Sequence, residues 1–325
     1  MAARSLASVV ARAAVATPSR LALLAPQQNI SWSFEELDSK ARKLATGLED
    51  LGYTQGSVAL SDIPNVAENI LLQLALGHLG AAIATPPKDE AALAKLASKH
   101  NVRGVVCLDS SAGVLSDGGG ISEPLPMVEV GGDGTRPARG VVPFYELVEH
   151  CPPRGAAPLA SEGSLLGSYG GAELTHGACL ALGEAAASKL AITPDDRVCC
   201  SVTLMHAFGI GSATSSALVS GAAVVLPAVG GIKGCGNPAQ RAEVTLDVLK
   251  STQASVMFGD THTLKAMAAL GDCGEGLRLR TGVVKIASGS DFLDGITEAP
   301  PGPKGGDPLP LQYGGVAFHA MGKKQ

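Results

Sequence analysis

The sequence predicts an α/β fold built of two doubly wound, mostly parallel sheet halves. Helical and strand-like patterns alternate from Ser31 to Pro87, which indicates crossover units feeding a parallel sheet. The same alternation returns from Thr175 onward. With 46% hydrophobic and 17% charged residues over 325 positions, the chain has the apolar content to bury cores of this kind and does not have the composition of a disordered one.

Taken in order, Leu6 to Ala16 reads as a first helix ended by Thr17-Pro18. Ile30 to Phe34 alternates apolar and polar residues as a short strand does. Ser33 with Glu36 three positions on has capping-box spacing, and Leu37, Ala41, Leu44, Ala45 and Leu48 form the apolar stripe of a helix that Gly52 ends. Val58 to Leu60 is a strand, Asn65 to Gly77 a helix, Ala81 to Ala84 a strand, Lys88 to Ala97 a helix and Gly104 to Leu108 a strand. From Ser110 to Gly140 glycines dominate, which predicts an exposed insertion around a short strand at Pro126 to Val130. Beyond the Pro-containing linker Cys151 to Gly163, helices are expected at Thr175 to Leu190, Ile210 to Ser220 and Thr245 to Ser251. Strands are expected at Val198 to Val202, Ala222 to Leu226, Ser255 to Phe258 and Val283 to Ala287, before a Pro/Gly-rich stretch from Ala299 to Pro310. The domain organisation that follows is a targeting segment or first helix at 1–30, a first α/β half at 31–160 carrying the insertion 110–140, and a second half at 161–325 with a Pro/Gly-rich tail.

Charge and cysteine usage exclude several functions. A net charge of -5, from 30 acidic and 25 basic residues, provides no global attraction to nucleic acid or anionic lipid. The cysteines (Cys107, Cys151, Cys179, Cys199, Cys200, Cys235 and Cys273) are scattered and show no C-x-x-C pair. A disulfide framework or a zinc site needs regular spacing, so they read as small buried hydrophobes in a reducing compartment. Ile70 to Ala84 is too short and too interrupted to span a bilayer, which takes about 20 apolar residues, and reads as a buried helix running into a strand. From Met1 to Phe34 the first acidic residue is still to come, while Arg4, Arg12 and Arg20 stand among Ala, Ser, Val and Leu. That is the composition of a mitochondrial or plastid transit peptide and equally of an ordinary first helix.

Several local sequences, in shared order, resemble the large N-terminal domain of the adenylate-forming superfamily, which includes acyl-CoA synthetases, luciferases and peptide-synthetase adenylation domains. They are Thr17 to Leu23, Trp32 to Leu37, Leu44-Ala45-x-x-Leu48 with Leu51-Gly52, Asn65 followed by Glu68, and Leu79-Gly80-Ala81 with Pro86. The resemblance implies a reaction in which a carboxylate attacks the α-phosphate of Mg-ATP to form an acyl-adenylate, and a thiol then displaces AMP. It also implies three motifs, and this sequence departs from the family at the first and the third while the second survives better.

The first is a phosphate loop resembling S-G-T-T-G-x-P-K-G ahead of a Thr-His pair, because exposed backbone N–H groups and a cation must surround the phosphates. Thr175-His176 stands for that pair, preceded by Gly167-Ser168-Tyr169-Gly170-Gly171-Ala172-Glu173-Leu174. The Thr-Thr pair and the Lys are missing, the loop is shorter by about five residues, and Glu173 puts an anion near the place of the cation. Gly167, Ser168, Gly170 and Gly171 are therefore vestigial candidates for a nucleotide contact. The second motif, Leu204-Met205-His206-Ala207-Phe208-Gly209, resembles "L-F-H-x-x-G", whose His lies beside the acyl pocket; His206 is a pocket remnant or a structural residue. The third resembles Y-G-x-T-E, whose Thr binds phosphate and whose Glu binds Mg²⁺. Here Tyr313-Gly314 is followed by Gly315, Val316 and Ala317, and alkyl side chains offer magnesium no oxygen; the alternative is that Tyr313-Gly314 is a terminal turn. The resemblance further implies that a small C-terminal domain with a catalytic Lys should follow, and the sequence stops at Gln325 without one.

The resulting expectation is a catalytically inactive acyl-CoA synthetase-like protein, with no catalytic residue, no metal and no cofactor, serving as a structural or accessory subunit among other protein subunits. A mitochondrial address is preferred to a cytosolic or plastid one, with respiratory complex I or the mitoribosome as the kind of host. The alternatives are a non-catalytic acyl-, CoA- or nucleotide-binding module and a divergent active acyl-CoA synthetase.

Overall fold

In a computed structural model of the chain, the described residues are 4–87, 89–108, 125–131, 140–228, 237–271, 274–286, 296–297 and 312–321. Most of the Gly-rich insertion, the Pro/Gly-rich stretch, Cys235 and Cys273 lie outside them. In chain order the first elements are α1 (Leu6–Ala16), β1 (Leu21–Ala25), β2 (Ile30–Ser33), α2 (Phe34–Asp50), β3 (Ser57–Ser61), α3 (Ala67–Leu79), β4 (Ala82–Ala84), α4 (Glu90–Lys99), β5 (Asn101–Cys107), β6 (Met127–Glu129), β7 (Val141–Pro143) and α5 (Phe144–His150). There follow β8 (Leu165–Tyr169), β9 (Ala172–Thr175), α6 (His176–Lys189), β10 (Arg197–Cys200), a π-helix (Ala207–Thr214), α7 (Ser215–Val219), β11 (Ala223–Val225), α8 (Pro238–Thr252), β12 (Val256–Asp260), α9 (Thr261–Ala269) and β13 (Thr281–Lys285). The last are β14 (Ile296–Thr297), β15 (Gln312–Tyr313), β16 (Val316–Ala317) and β17 (His319–Met321).

Two compact units result. One comprises Met1–Pro18, Glu35–Ile63 and Glu68–Ala178, the other Ser19–Phe34, Pro64–Ala67 and Cys179–Gln325. The cut expected at 160/161 lies instead after Ala178, because β8 pairs with β4 and carries β9 with it. Residues 19–34 belong to the second unit for the corresponding reason: β1 pairs in parallel with β11, far along the chain, and β2 pairs with β1.

The first unit's sheet runs β7-β6-β5-β3-β4-β8-β9 and is parallel except for the terminal β8–β9 pair. The stripe read from the sequence of α2 is the buried one: Leu37, Ala41, Leu44, Ala45 and Leu48 are all fully buried, and each of its leucines contributes roughly 2 kcal/mol. Helix α1 is part of this unit. Ser5 caps it, exchanging hydrogen bonds with Ser8, and Leu6 to Val10 are buried. Gly77 lets the helix approach, since a Cβ there would stand 3.1 Å from that of Ala7.

A buried histidine closes the α1 contact. Nδ1 of His176 accepts the Leu6 N–H at 3.3 Å, and burial pulls the imidazole pKa down to about 4. The folded protein thus keeps His176 neutral at pH values where the unfolded chain, titrating near 6.5, takes up a proton. The stability it contributes is complete above about pH 6.5 and is lost as pH falls towards 4, on the order of 3 kcal/mol over that window. Urea unfolding at pH 7 and pH 4.5 should show this slope in the native protein and a shallower one in His176→Asn.

The second unit's sheet runs β14-β17-β13-β12-β10-β11-β1-β2, with antiparallel pairs only at its two ends among the described strands. Leu249, Met257, Leu264, Met267, Val284 and Phe318 belong to its core on one face. Of the five described cysteines, none of them in a disulfide, Cys107, Cys179, Cys199 and Cys200 are buried and Cys151 is half-buried; burial pushes the Cys179 and Cys200 thiols up to about 12, which makes them inert. No helix among the described residues is long and apolar enough to cross a membrane.

Candidate functional site

The segment read as a shortened phosphate loop is a β-hairpin in the first unit. Strands β8 and β9 pair antiparallel and close at Tyr169 opposite Ala172. Gly170 (φ +61°) and Gly171 (φ +90°) alone make the turn, and positive φ at both central residues is what a two-residue hairpin turn of the I′ kind requires. The Gly170 N–H donates to Thr85 Oγ1 at 2.9 Å, and the Ser168 carbonyl accepts the Thr85 N–H at 3.1 Å. Gly167 has a packing role, because a Cβ would stand 2.5 Å from Cζ of Tyr169. That ring is held by a buried relay: the Tyr169 hydroxyl donates to Gln73 Oε1 (2.9 Å), the Gln73 amide to Asn69 Oδ1 (2.7 Å), and the Asn69 amide to the Ile63 carbonyl (2.7 Å). Glu173 lies within ion-pair distance of Lys99 and 3.0 Å from His100 Nε2. The hydrogen bond from Lys99 leads the effects that hold its carboxyl below the usual range. Tight turn, ladder and ion pair thus account for the backbone and charged contacts along this segment.

The other candidates lie in the second unit. After β10 the chain is pinned by Asn65, whose Oδ1 accepts the Leu204 N–H at 2.8 Å and whose amide donates to the Val202 carbonyl. His206 caps the π-helix: its Nδ1 accepts the Phe208 N–H at 3.0 Å, and its carbonyl accepts the N–H groups of Gly209 and Ile210. The expected α-helix at Ile210 to Ser220 is therefore a π-helix continued by α7, its wider winding marked by the Ser215 N–H donating to the Ile210 carbonyl. On its other side the His206 ring meets Lys285, whose Nζ lies 3.3 Å from Nε2.

Tyr313 is buried in the core with Met257, Val284 and Phe318. Gly314 (φ +57°) and Gly315 (φ +79°) form a second two-residue turn, joining β15 to β16. Val316 and Ala317 stand on β16 where the resemblance places Thr and Glu. The structure thus brings His206 and Lys285 together, sets Tyr313 and Gly314 in a packed hairpin of the same unit, and places Gly167, Ser168, Gly170 and Gly171 in the other unit. Among the described residues no group of three or more His, Cys, Asp or Glu could hold a metal ion.

Three residues here were not singled out from the sequence. Lys285 ends a strand and looks like any solvated lysine until its distance from His206 is known. Arg241 and Asp260 form a buried ion pair at 2.9 Å, with Arg241 Nε also donating to Thr263 Oγ1 at 2.7 Å. The usable signal was Asp260 followed three residues later by Thr263 at the start of α9, a helix not predicted: Asp260 Oδ1 accepts the Thr263 N–H at 2.8 Å as its N-cap.

No protein-family model matches the sequence, and no curated protein matches it. Solved structures do. The anthranilate CoA ligase AuaEII in complex with anthranoyl-AMP superposes with a TM-score of 0.72 at 15% identity, over 87% of this chain and 55% of the ligase. A benzoate CoA ligase from Burkholderia xenovorans gives 0.71 at 15% identity, over 98% of this chain and 60% of that one. The N-terminal domain of FACL13 from Mycobacterium tuberculosis gives 0.70 at 15%, over 87% and 70%. This chain spans little more than half the length of the first of these. The α/β architecture of the adenylate-forming CoA ligases is the fold of this chain. At such identities the likeness extends to the fold alone.

Proposed function

We propose that this chain is a catalytically inactive acyl-CoA synthetase-like protein that serves as a structural or accessory subunit of a larger mitochondrial assembly, of the kind of respiratory complex I or the mitoribosome. The observation that carries the loss of activity is the hairpin at 165–175. Its turn has only Gly170 and Gly171, the first N–H is taken by Thr85, and Lys99, the cation beside Glu173, is engaged by that carboxylate. The alkyl residues Val316 and Ala317 support the same reading, since they supply neither a phosphate donor nor a metal ligand. An intact apolar scaffold without this machinery is what a subunit kept for its surface needs. In this reading the acid-free N-terminal segment is retained in the working protein, because Leu6 to Val10 are buried in the first unit.

Two experiments test it. Carboxylate-dependent ATP–pyrophosphate exchange should be absent across short, long and aromatic acids; exchange with any of them would restore the divergent active synthetase. The endogenous protein in a gently solubilised mitochondrial extract should migrate in a large assembly. Migration as a monomer would remove the subunit role.

A further inference from the structure

Helix α1 is held to the first unit through its N-terminal half. Leu6, Ala7, Val9 and Val10 are buried, whereas Arg12 is exposed and Val15 is 85% exposed. Among the described residues, one hydrogen bond ties α1 to the chain beyond Thr17: the Leu6 N–H donates to Nδ1 of His176 at 3.3 Å. The chain that follows the helix is fixed, because the Pro18 carbonyl accepts the Glu35 N–H at 3.1 Å and the Arg20 carbonyl the Phe34 N–H at 2.9 Å. Thr17, with φ -143° and ψ 60°, has already left the helical conformation and is the pivot between the two.

The acceptor in this bond is itself titratable. With Nδ1 accepting, the neutral ring carries its proton on Nε2, which is buried without a hydrogen-bond partner. A second proton has only Nδ1 to go to. It turns the acceptor for Leu6 into a donor facing a donor, and it places a cation on a fully buried ring. The charged and titratable groups on the elements around the ring are few. Arg4, ahead of α1, pairs with Glu162 at 3.9 Å with both side chains well exposed, so the pair is screened and worth little. Arg12 bonds Ser8 within α1, and on α3 His78 faces Asp38. None of these charges offsets the penalty, since burial alone sets the low imidazole pKa of His176.

We propose that His176 is a proton-operated latch for α1: on taking up a proton it lets residues 4–17 swing out about Thr17 while the sheet of the first unit stays folded. Release brings water to the ring and uncovers the apolar face of Leu6, Val9 and Val10 together with its seat at Gly77. The latch goes beyond the subunit role and does not rest on it. Native-state hydrogen exchange of the full chain tests it, with rates corrected for the intrinsic effect of pH. Protection of the α1 amides should fall on the order of 50-fold between pH 7 and pH 4.5, as a group passing from a pKa of about 4 to about 6.5 on opening requires. At pH 4.5 it should lie below that of β3 and β5 and respond little to low urea, because opening one helix exposes little surface. Asn at 176 offers an amide oxygen to the Leu6 N–H and takes up no proton, so in His176→Asn the fall should be about fivefold or less. The latch is overturned if α1 and β3 amides share one protection and one urea slope, if α1 protection is the same at both pH values, or if His176→Asn loses as much as the native chain. The first two comparisons use the native chain alone and decide the matter even where the variant does not fold. Because neither pyrophosphate exchange nor migration is read, failure here leaves the subunit reading standing, and failure of that reading leaves the latch standing.

Discussion

Gly209→Ala should be among the most damaging single-methyl changes in the second unit, lowering stability by about 3 kcal/mol or more. A Cβ at Gly209 would stand 2.0 Å from the carbonyl oxygen of Thr203 and 2.8 Å from its carbon, which is backbone and cannot turn aside as a side chain can. The strand-to-helix passage would have to open. Asn65 would then lose its grip on Val202 and Leu204, and His206 its cap. Gly211→Ala is the control, because its new methyl would meet the movable tip of Leu182 at 3.0 Å; its cost should stay within about 1 kcal/mol. Urea midpoints of the two variants, measured side by side, check both numbers. Equal midpoints would mean that the passage is not the tight point it is taken to be.

Removing Asp196 should cost about 2–4 kcal/mol. Its carboxylate is the centre of a network in the second unit. Arg280 donates from Nε at 2.9 Å and from Nη2 at 2.7 Å, Ser255 donates from its hydroxyl at 2.7 Å, and Thr193 donates from N–H at 2.8 Å. Arg280 also reaches the Leu190 and Ala191 carbonyls at the end of α6, so one carboxylate ties α6, β10 and the approaches to β12 and β13. Burial alone would push the Asp196 pKa up; the hydrogen bonds from Arg280, Ser255 and Thr193 outweigh it and bring the pKa down to about 2. The folded pKa lies below the unfolded one, so the stability contributed is complete above about pH 4. It is lost as pH falls towards 2. Asp196→Asn should therefore be destabilised at pH 7 and should lose less than the native protein between pH 4 and pH 2. A variant whose acid profile matched the native one would refute the role given to this carboxylate.

Much of this architecture is legible along the chain because it is local. The stripe of α2 repeats with helical period, Thr17-Pro18 stops α1 where it should, and short apolar runs between helices mark β3, β4, β10 and β12. The order of these pieces also carries the likeness to the adenylate-forming fold. Locality likewise explains the misses. Helices α5 and α9 are short, and their buried positions look like ordinary loop hydrophobes. The π-helix winds with i→i+5 bonds rather than the 3.6-residue period that marks an α-helix, and Gly209 lies close against the Thr203 carbonyl near its start. The hairpin at 165–175 reads in sequence as a shortened phosphate loop, because glycines at 167, 170 and 171 serve a tight turn and a phosphate cradle equally well. Only the pairing with β4 and the Thr85 contact distinguish them.

What the sequence determined by itself is therefore the alternation of elements, their buried faces, and the residue types that stand where the resemblance places its phosphate and metal motifs. What the tertiary structure decided is which distant residues meet: His206 with Lys285, Arg241 with Asp260, Leu6 with His176, β1 with β11. Periodicity records how a segment faces a core. It does not record which far segment lies across that core, and short-range donor and charge contacts exist only once the chain has closed over those separations.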